Sequence, residues 1–444
     1  MIDFSLTEEQ QLLKETARRL AINDIRPIAV ELDRLNDPEK PFPMELVKKG
    51  MRLGFGKLVI PEKYGGLGGS LIDYALVVEE LAYGDAGICD VMWVTMSLSR
   101  LLAMGCNDTQ KEKWLREICE DETGTFIIGG AMTEPSGGSE IFCPLPDPQL
   151  GVRTTAVRDG DHYVINGNKC FIANAGISKI YIALARTNKE VSNLEGCSIF
   201  IIPEGTPGLS FGKIENKMGT RLSLVREVIF EDLRIPKEYM IGNEGQGFEI
   251  VFQCYEGNGV AVGAKAVGLA RAAYDAALEY SQDRVIWGRP ILEYESVGSK
   301  LADMRMKIEA SRALVWKVAW AAENPDLSRG LVKLAAMAKI FPTSVVREIT
   351  IQAMEILGGY GYMTEFPIEK YVRDAMLLPI YDGTNDLLKR VNDEVPDLAK
   401  MRARRRESKD MPAGVFVADT LGKDSKPVVV KYTSTNRADG IDAA

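Results

Sequence analysis

Between about residues 126 and 240 the texture of the chain changes, and that change limits the folds open to it. Val152 to Arg158, an Asp159-Gly160 pair and His162 to Asn166 read as a β-hairpin, since Asp-Gly between alternating apolar runs favours a tight turn. Ile180 to Leu184, Cys197 to Ile202 and Glu227 to Phe230 add short strand candidates at the spacing of a small barrel or sandwich. Either side of this block the period is helical. Thr7-Glu8-Glu9-Gln10 has capping-box spacing, and Leu12, Leu13, Ala17, Leu20 and Ala21 then recur on one face, with Pro27 expected to interrupt or kink that helix. A Gly-rich loop, Pro61 to Ser70, precedes helices expected over Ile72 to Tyr83 and about Gly87 to Ala103. After Gly247 helical runs are expected around 247–283, 294–322, 328–358 and 384–400, with Val297, Leu301, Met304, Ile308 and Val315 on one face. The organisation that follows is a helical domain over 1–125, a β-barrel domain over 126–240 and a helical bundle over 241–400. Over 401–444 a basic linker, with Arg402, Arg404, Arg405 and Arg406, leads into a polar tail.

Several chemistries are excluded early. The chain has one histidine, His162, at the rim of the expected hairpin, so Ser-His-Asp or Cys-His catalysis and multi-histidine metal sites are not supported. No G-x-G-x-x-G and no P-loop occurs. A net charge of −9 argues against a general nucleic-acid binder. No apolar run approaches the ~20 residues of a membrane span, and the N-terminus has no signal-peptide pattern. Seven cysteines without a C-x-x-C pair suit reduced thiols in a cytoplasmic protein. Acid-base chemistry would then fall to carboxylates, tyrosines, lysines or a cofactor.

One stretch offers such a carboxylate. Pro379-Ile380-Tyr381-Asp382-Gly383-Thr384-Asn385-Asp386 sets Asp382 between an aromatic residue and a glycine, just before an apolar pair. Gly383 allows close backbone approach, and Thr384 can cap a following helix. Asp382 is therefore a candidate general base, against the alternative of an ordinary turn aspartate. Asp90, near Met92, Trp93 and Met96, is either a first-turn aspartate complementing a helix dipole or a pocket carboxylate.

Ala131 to Glu140, Lys217 to Gly219, Phe230 to Asp232, Arg284 to Pro290 and, taken as one group, Gln352 to Tyr362, Arg373 to Ala375 and Ile380 to Thr384 resemble, in that order, five landmarks of the acyl-CoA dehydrogenase family. Ala131 to Glu140 (AMTEPSGGSE) resembles its first signature. Gln352 to Tyr362 (QAMEILGGYGY), Arg373-Asp374-Ala375 and Ile380 to Thr384 resemble its second. Lys217-Met218-Gly219, Phe230-Glu231-Asp232 and Arg284 to Pro290 lie between them. The resemblance covers about residues 3 to 400 and implies an N-terminal all-α domain, a middle β-barrel and a C-terminal four-helix bundle. It implies FAD as cofactor, an acyl-CoA thioester as substrate, an electron-transfer flavoprotein as acceptor and a homotetramer. Asp382 would be the base, its pKa raised by burial, and its backbone N–H would help to stabilise an enolate oxygen. Flavin would lie near Met132, Thr133, Ser139, Phe171 and Ala173, with Gly359, Thr384 and Asp386 nearby. Arg284 and Trp287 would reach the FAD of a neighbouring subunit. Ser139, Tyr255, Glu256, Tyr381 and Gly383 would contact the substrate.

The departures are informative. The family base is most often Glu, and Asp382 is one methylene shorter. Where the family usually has an Asp and an Arg near the CoA chain, this chain has Glu256 and Gly259. Asn258 occupies the place where a subset keeps its base. Asp90 falls where the acyl pocket is normally apolar or small, which raises the expectation of a second base for a cyclic acyl group such as cyclohexane- or cyclohexene-carboxyl-CoA. The alternatives are a linear short- or medium-chain acyl-CoA dehydrogenase, a same-fold oxidase, or a non-enzymatic CoA-binding protein.

Overall fold

The computed structural model of the chain describes residues 5–394, except 36, 39–41, 143–146, 148 and 325–330, and beyond them only residues 416–418 and 428–430. The side chains of Phe142, of Glu256 and of 390–394 also lie outside the description. Two compact units result, Met1–Asn392 and Asp393–Ala444. In the second, Phe416–Ala418 pairs antiparallel with Val428–Val430. Arg402, Arg404, Arg405 and Arg406 lie outside the described residues.

In the first unit, α1 (Glu8–Leu20) starts on the anticipated capping box: Thr7 Oγ1 accepts the Gln10 N–H, and Gln10 Oε1 accepts the Thr7 N–H, both at 3.2 Å. Pro27 does not break the helical path. A π-helical segment, Ala21–Ile25, carries the chain onward, and Pro27 sits in the first turn of α2 (Arg26–Arg34), where no intrahelical N–H is missed. After α3 (Met44–Arg52), Ser70 caps α4 (Leu71–Gly84) and Asp85 caps α5 (Ala86–Gly105). α6 (Asp108–Glu120) follows. By length and composition the 20-residue α5 could cross a bilayer, but here most of it is buried as a core helix.

The middle of the unit is one sheet, formed by β1 (Ile128–Ala131), β2 (Thr155–Asp159), β3 (His162–Ala173), β4 (Ile180–Arg186) and, after the short α7 (Asn193–Gly196), β5 (Cys197–Pro203), β6 (Leu209–Ile214), β7 (Val225–Pro236) and β8 (Met240–Ile241). The order is β6-β7-β3-β2-β4-β5-β8, with β1 added parallel to β4. The expected hairpin is β2–β3, in register with Asp159 opposite His162. β1 and β8 carry too few residues to have signalled themselves by periodicity, and β6 is half-exposed along its length with no clean alternation. β4 is buried along its whole length because both of its faces are covered. Ile180, Ile182 and Leu184 pack with residues of α5, α6 and α8, while Tyr181, Ala183 and Ala185 pack with Phe200, Val228 and Phe230.

The third part contains α8 (Gly247–Asp283), a two-stranded ribbon of β9 (Val285–Ile286) and β10 (Arg289–Pro290), α9 (Glu295–Ala322), α10 (Leu331–Leu357), α11 (Ile368–Ala375) and α12 (Asn385–Glu394). Leu301, Met304, Ile308 and Val315 of α9 are buried as their spacing predicts. α8 and α10 cross closely: a Cβ on Gly259 would lie 2.4 Å from Ala335 O, and one on Gly263 would lie 2.2 Å from Ala338 O. This accounts for Gly259 where the family carries a long side chain. The crossing also brings the next residue of α10, Lys339, against the turn that precedes α12.

Candidate active site

The turn from Tyr381 to Thr384 is left-handed at two successive residues, with φ of 51° at Asp382 and 81° at Gly383. Glycine suits the second position twice over: its φ is unfavourable for other residues, and a Cβ there would fall 1.9 Å from Tyr255 Oη. An aspartate at positive φ is uncommon and must be held by its surroundings. Two helices hold it. The Tyr255 hydroxyl of α8 donates to the Asp382 carbonyl. The Lys339 ammonium of α10 donates to the Gly383 carbonyl and to Asn385 Oδ1, each at 2.8 Å. Thr384 Oγ1 accepts the Leu387 N–H at 3.1 Å and starts α12, as its expected capping role requires.

The Asp382 carboxyl group is only half satisfied. Oδ1 accepts a hydrogen bond from Asn258 Nδ2 at 3.3 Å, and Asn258 is itself fixed by the Ser97 hydroxyl at 2.5 Å. Oδ2 is buried without a partner. Burial pushes the carboxyl up to about 6, against the opposing pull of the Lys339 charge and the Asn258 hydrogen bond. One buried free oxygen and a raised proton affinity are the features a general base needs. The neighbouring Tyr381 hydroxyl is buried and unpartnered as well, and burial holds it well above the usual phenol range.

Asp90 is fixed in the opposite way. It is not the cap or a first-turn residue of α5; Asp85 is the cap, with its Oδ1 accepting the Ile88 N–H at 2.7 Å. Asp90 lies one turn further in, buried, with Oδ1 bonded to the buried Lys265 ammonium of α8 and to the Trp93 indole N–H, the latter at 2.8 Å. Trp93 meets Tyr381 edge-on, with ring centroids 6.1 Å apart and planes at 70°. Lys265 Nζ stands 5.1 Å from the centre of the Tyr381 ring. Asp90, Lys265, Trp93 and Tyr381 thus form one packed corner next to Asp382.

The remaining predicted residues fall into two groups. Met132 and Thr133 follow β1, and Thr133 O accepts the Cys170 N–H at 2.9 Å, which joins this segment to the end of β3 that carries Phe171 and Ala173. A buried Glu134–Lys169 pair at 2.8 Å, with Lys169 also donating to Met132 O at 3.1 Å, fixes the segment. Ser139 opens a 3-10 turn. Phe171 is 70 % exposed with φ of 57°. In the second group, Arg284 lies over the Tyr360 ring at 5.6 Å, Trp287 is 90 % exposed, and open space surrounds Gly359. Asp386 is exposed and paired with Lys389 at 3.0 Å. The Glu256 side chain lies outside the described residues.

Sequence reasoning missed Lys339, Lys265 and the donor role of Asn258. A signal existed for the lysines: each sits on the apolar stripe of a long helix, Lys339 among Ala335, Ala338 and Val346, Lys265 among Ala261, Val262 and Ala266. The donor sets fit a flavin dinucleotide. Hydroxyls at Thr133 and Ser139, an exposed aromatic face at Phe171 and unobstructed backbone at Gly358 and Gly359 are what a ring system and a pyrophosphate need.

Fold and donor sets together define a class, flavin-dependent oxidoreductases. The chain matches the acyl-CoA dehydrogenase N-terminal domain over residues 7–122, the middle domain over 129–233 and the C-terminal domain over 245–393. It belongs to the acyl-CoA dehydrogenase family, whose members are FAD-dependent oxidoreductases. It is 38% identical over 392 residues to a short-chain-specific acyl-CoA dehydrogenase of Megasphaera elsdenii, covering 87% of this chain and 97% of that one. Among solved structures, butyryl-CoA dehydrogenase from Megasphaera elsdenii superposes with a TM-score of 0.80 at 37% identity, covering 88% of this chain and 99% of that one. A chain from work on the electron transferring flavoprotein of Acidaminococcus fermentans and flavin-based electron bifurcation gives a TM-score of 0.81 at 38% identity, covering 88% of this chain and 98% of that one. The family match ends at residue 393, beside the boundary of the first compact unit at Asn392.

Proposed function

We propose that this chain oxidises short, linear acyl-CoA thioesters, with Asp382 as the base that removes the α-proton. The observation that carries the reading is the buried Asp382 carboxylate with Oδ2 unpartnered. At neutral pH a group titrating at about 6 is ionised, yet it binds a proton more firmly than a free aspartate. Its backbone N–H is the donor we assign to the thioester oxygen, so that charge developing there meets a fixed dipole. Bound FAD would supply the acceptor for the hydride that leaves the β-carbon. Met132, Thr133, Ser139, Phe171, Ala173, Gly359, Thr384 and Asp386 would hold that cofactor, and Arg284 and Trp287 would serve the FAD of a neighbouring subunit in a homotetramer. Ser139, Tyr255, Glu256, Tyr381 and Gly383 would line the thioester path.

The corner beside the base supports a short acyl length. Trp93 and Tyr381 form an aromatic wall, and Trp93 is pinned by Asp90. Such a wall favours a short acyl group, in agreement with the short-chain and butyryl-CoA specificity in the names of the relatives. The ring thioesters suggested by Asp90 lack that support, and a carboxylate already matched by Lys265 is better suited to fixing the wall than to taking a proton. An electron-transfer flavoprotein is the proposed acceptor.

The test is anaerobic bleaching of the FAD-reconstituted chain by a panel of butyryl-, hexanoyl-, octanoyl- and cyclohexanecarboxyl-CoA. Butyryl-CoA should bleach fastest. No bleaching with any thioester would overturn the reading, and peroxide formed in air at the turnover rate would identify an oxidase instead.

A further inference from the structure

Four lysines are buried among the described residues: Lys169, Lys265, Lys339 and Lys370. Three meet a carboxylate directly, Lys169 with Glu134, Lys265 with Asp90, and Lys370 with Asp85 and Asp374. The fourth, Lys339, is 1 % exposed and forms no ion pair among the described residues; its ammonium meets only the Gly383 carbonyl and Asn385 Oδ1. A buried charge with neutral partners alone is costly, and some nearby charge of opposite sign must compensate it. The charge available is Asp382, one peptide from the carbonyl that Lys339 holds. The two groups act on each other: Lys339 favours the Asp382 carboxylate, and Asp382 favours the Lys339 ammonium.

From this geometry we infer that Lys339 is a positioning residue for the base, clamping the Asp382–Gly383 turn through the Gly383 carbonyl and supplying the positive field that keeps Asp382 ionised. The inference rests on the proposed role of Asp382. The base has to be ionised before each turnover, and on accepting the α-proton at Oδ2 it ceases to balance Lys339. The unbalanced ammonium then favours release of that proton and resets the site.

The other titratable groups facing the turn do not compete for this role. Tyr255 from α8, Tyr74 from α4 and Tyr381 within the turn are all raised by burial, with the Asp382 charge adding to it, and so stay neutral. Arg100 from α5 acts on Tyr74, and Asp386 and Lys389 on α12 pair with each other at the surface. Burial lowers Lys339 to about 8, so it carries its charge throughout the range in which Asp382 titrates, at about 6.

Three variants of the full-length, FAD-reconstituted chain test this. Lys339→Gln keeps a donor for the Gly383 carbonyl but removes the charge, Lys339→Met removes both, and Lys339→Arg keeps the charge. One readout needs no turnover: the Asp382 carboxyl stretch followed by infrared spectroscopy across pH, as a difference against Asp382→Asn. The other is the pH profile of anaerobic flavin bleaching. Lys339→Gln and Lys339→Met should raise the Asp382 midpoint by about one unit, and Lys339→Arg should leave it near the wild-type value. In Lys339→Gln the bleaching rate should fall about fivefold near the wild-type midpoint and recover above about pH 8, whereas a merely structural defect would lower it at every pH. An unchanged infrared midpoint in Lys339→Gln overturns the inference, whether or not Lys339→Met folds. Failure of the wild-type chain to bleach with any thioester would sink the dehydrogenase reading instead, and the infrared midpoint would still decide the electrostatic role of Lys339.

Discussion

Two carboxylates flank Tyr381 and are treated in opposite ways. Asp90 is matched on one oxygen by a buried lysine and an indole N–H. Asp382 has an amide on one oxygen and nothing on the other, and Lys339, whose charge acts on it, is bonded to the Gly383 carbonyl and to Asn385 Oδ1 instead. Both are shielded from water, so burial alone does not separate them. The direct counter-ion does: with it a carboxylate becomes part of a wall, without it the group holds its proton more tightly and can serve as a base.

The comparison breaks most visibly in stability. Lys265→Met strands Asp90 in the core and should destabilise the fold by about 3–5 kcal/mol in denaturant titration, while adding Asp90→Asn should restore much of the loss. Asp382→Asn should act in the other direction. Because the folded chain binds this proton more tightly than the unfolded chain, at about 6 against an ordinary 3.8, stability is highest below the lower value and falls as pH rises through that window. Removing the ionisation should therefore stabilise the protein at neutral pH by about 3 kcal/mol, a gain that fades as pH falls through about 4. A destabilised Asp382→Asn would mean that the charge lost to Lys339 outweighs the cost of burying the carboxylate. The smallest effect is on specificity. Trp93→Leu opens the wall that Asp90 pins and should raise the hexanoyl- to butyryl-CoA ratio of kcat/KM about tenfold, with Asp90→Asn giving a weaker change in the same direction.

Much of this molecule was legible in the chain. The three textures, the Thr7 capping box, the hairpin at Asp159-Gly160 and the Asp382-Gly383 turn all depend on neighbours in sequence. The Asp90 corner did not: its meaning depends on Lys265, 175 residues away, and local pattern suggested a dipole partner where the fold makes an ion pair. The contacts that hold the Asp382 turn were hidden for the same reason. Tyr255, Asn258 and Lys339 arrive from α8 and α10, and they can do so because Gly259 and Gly263 let those helices approach. What sequence could have offered was a warning, a lysine on an apolar helix stripe, which is seldom placed there without a partner.

The most direct measurement is the anaerobic addition of butyryl-CoA to FAD-loaded Asp382→Asn beside the wild type. Wild type should bleach within the mixing experiment, and the variant should bind FAD and thioester normally but reduce its flavin about a thousandfold more slowly. Bleaching of Asp382→Asn at the wild-type rate would show that the proton leaves by another group, and the account of the site built on that carboxylate would be wrong.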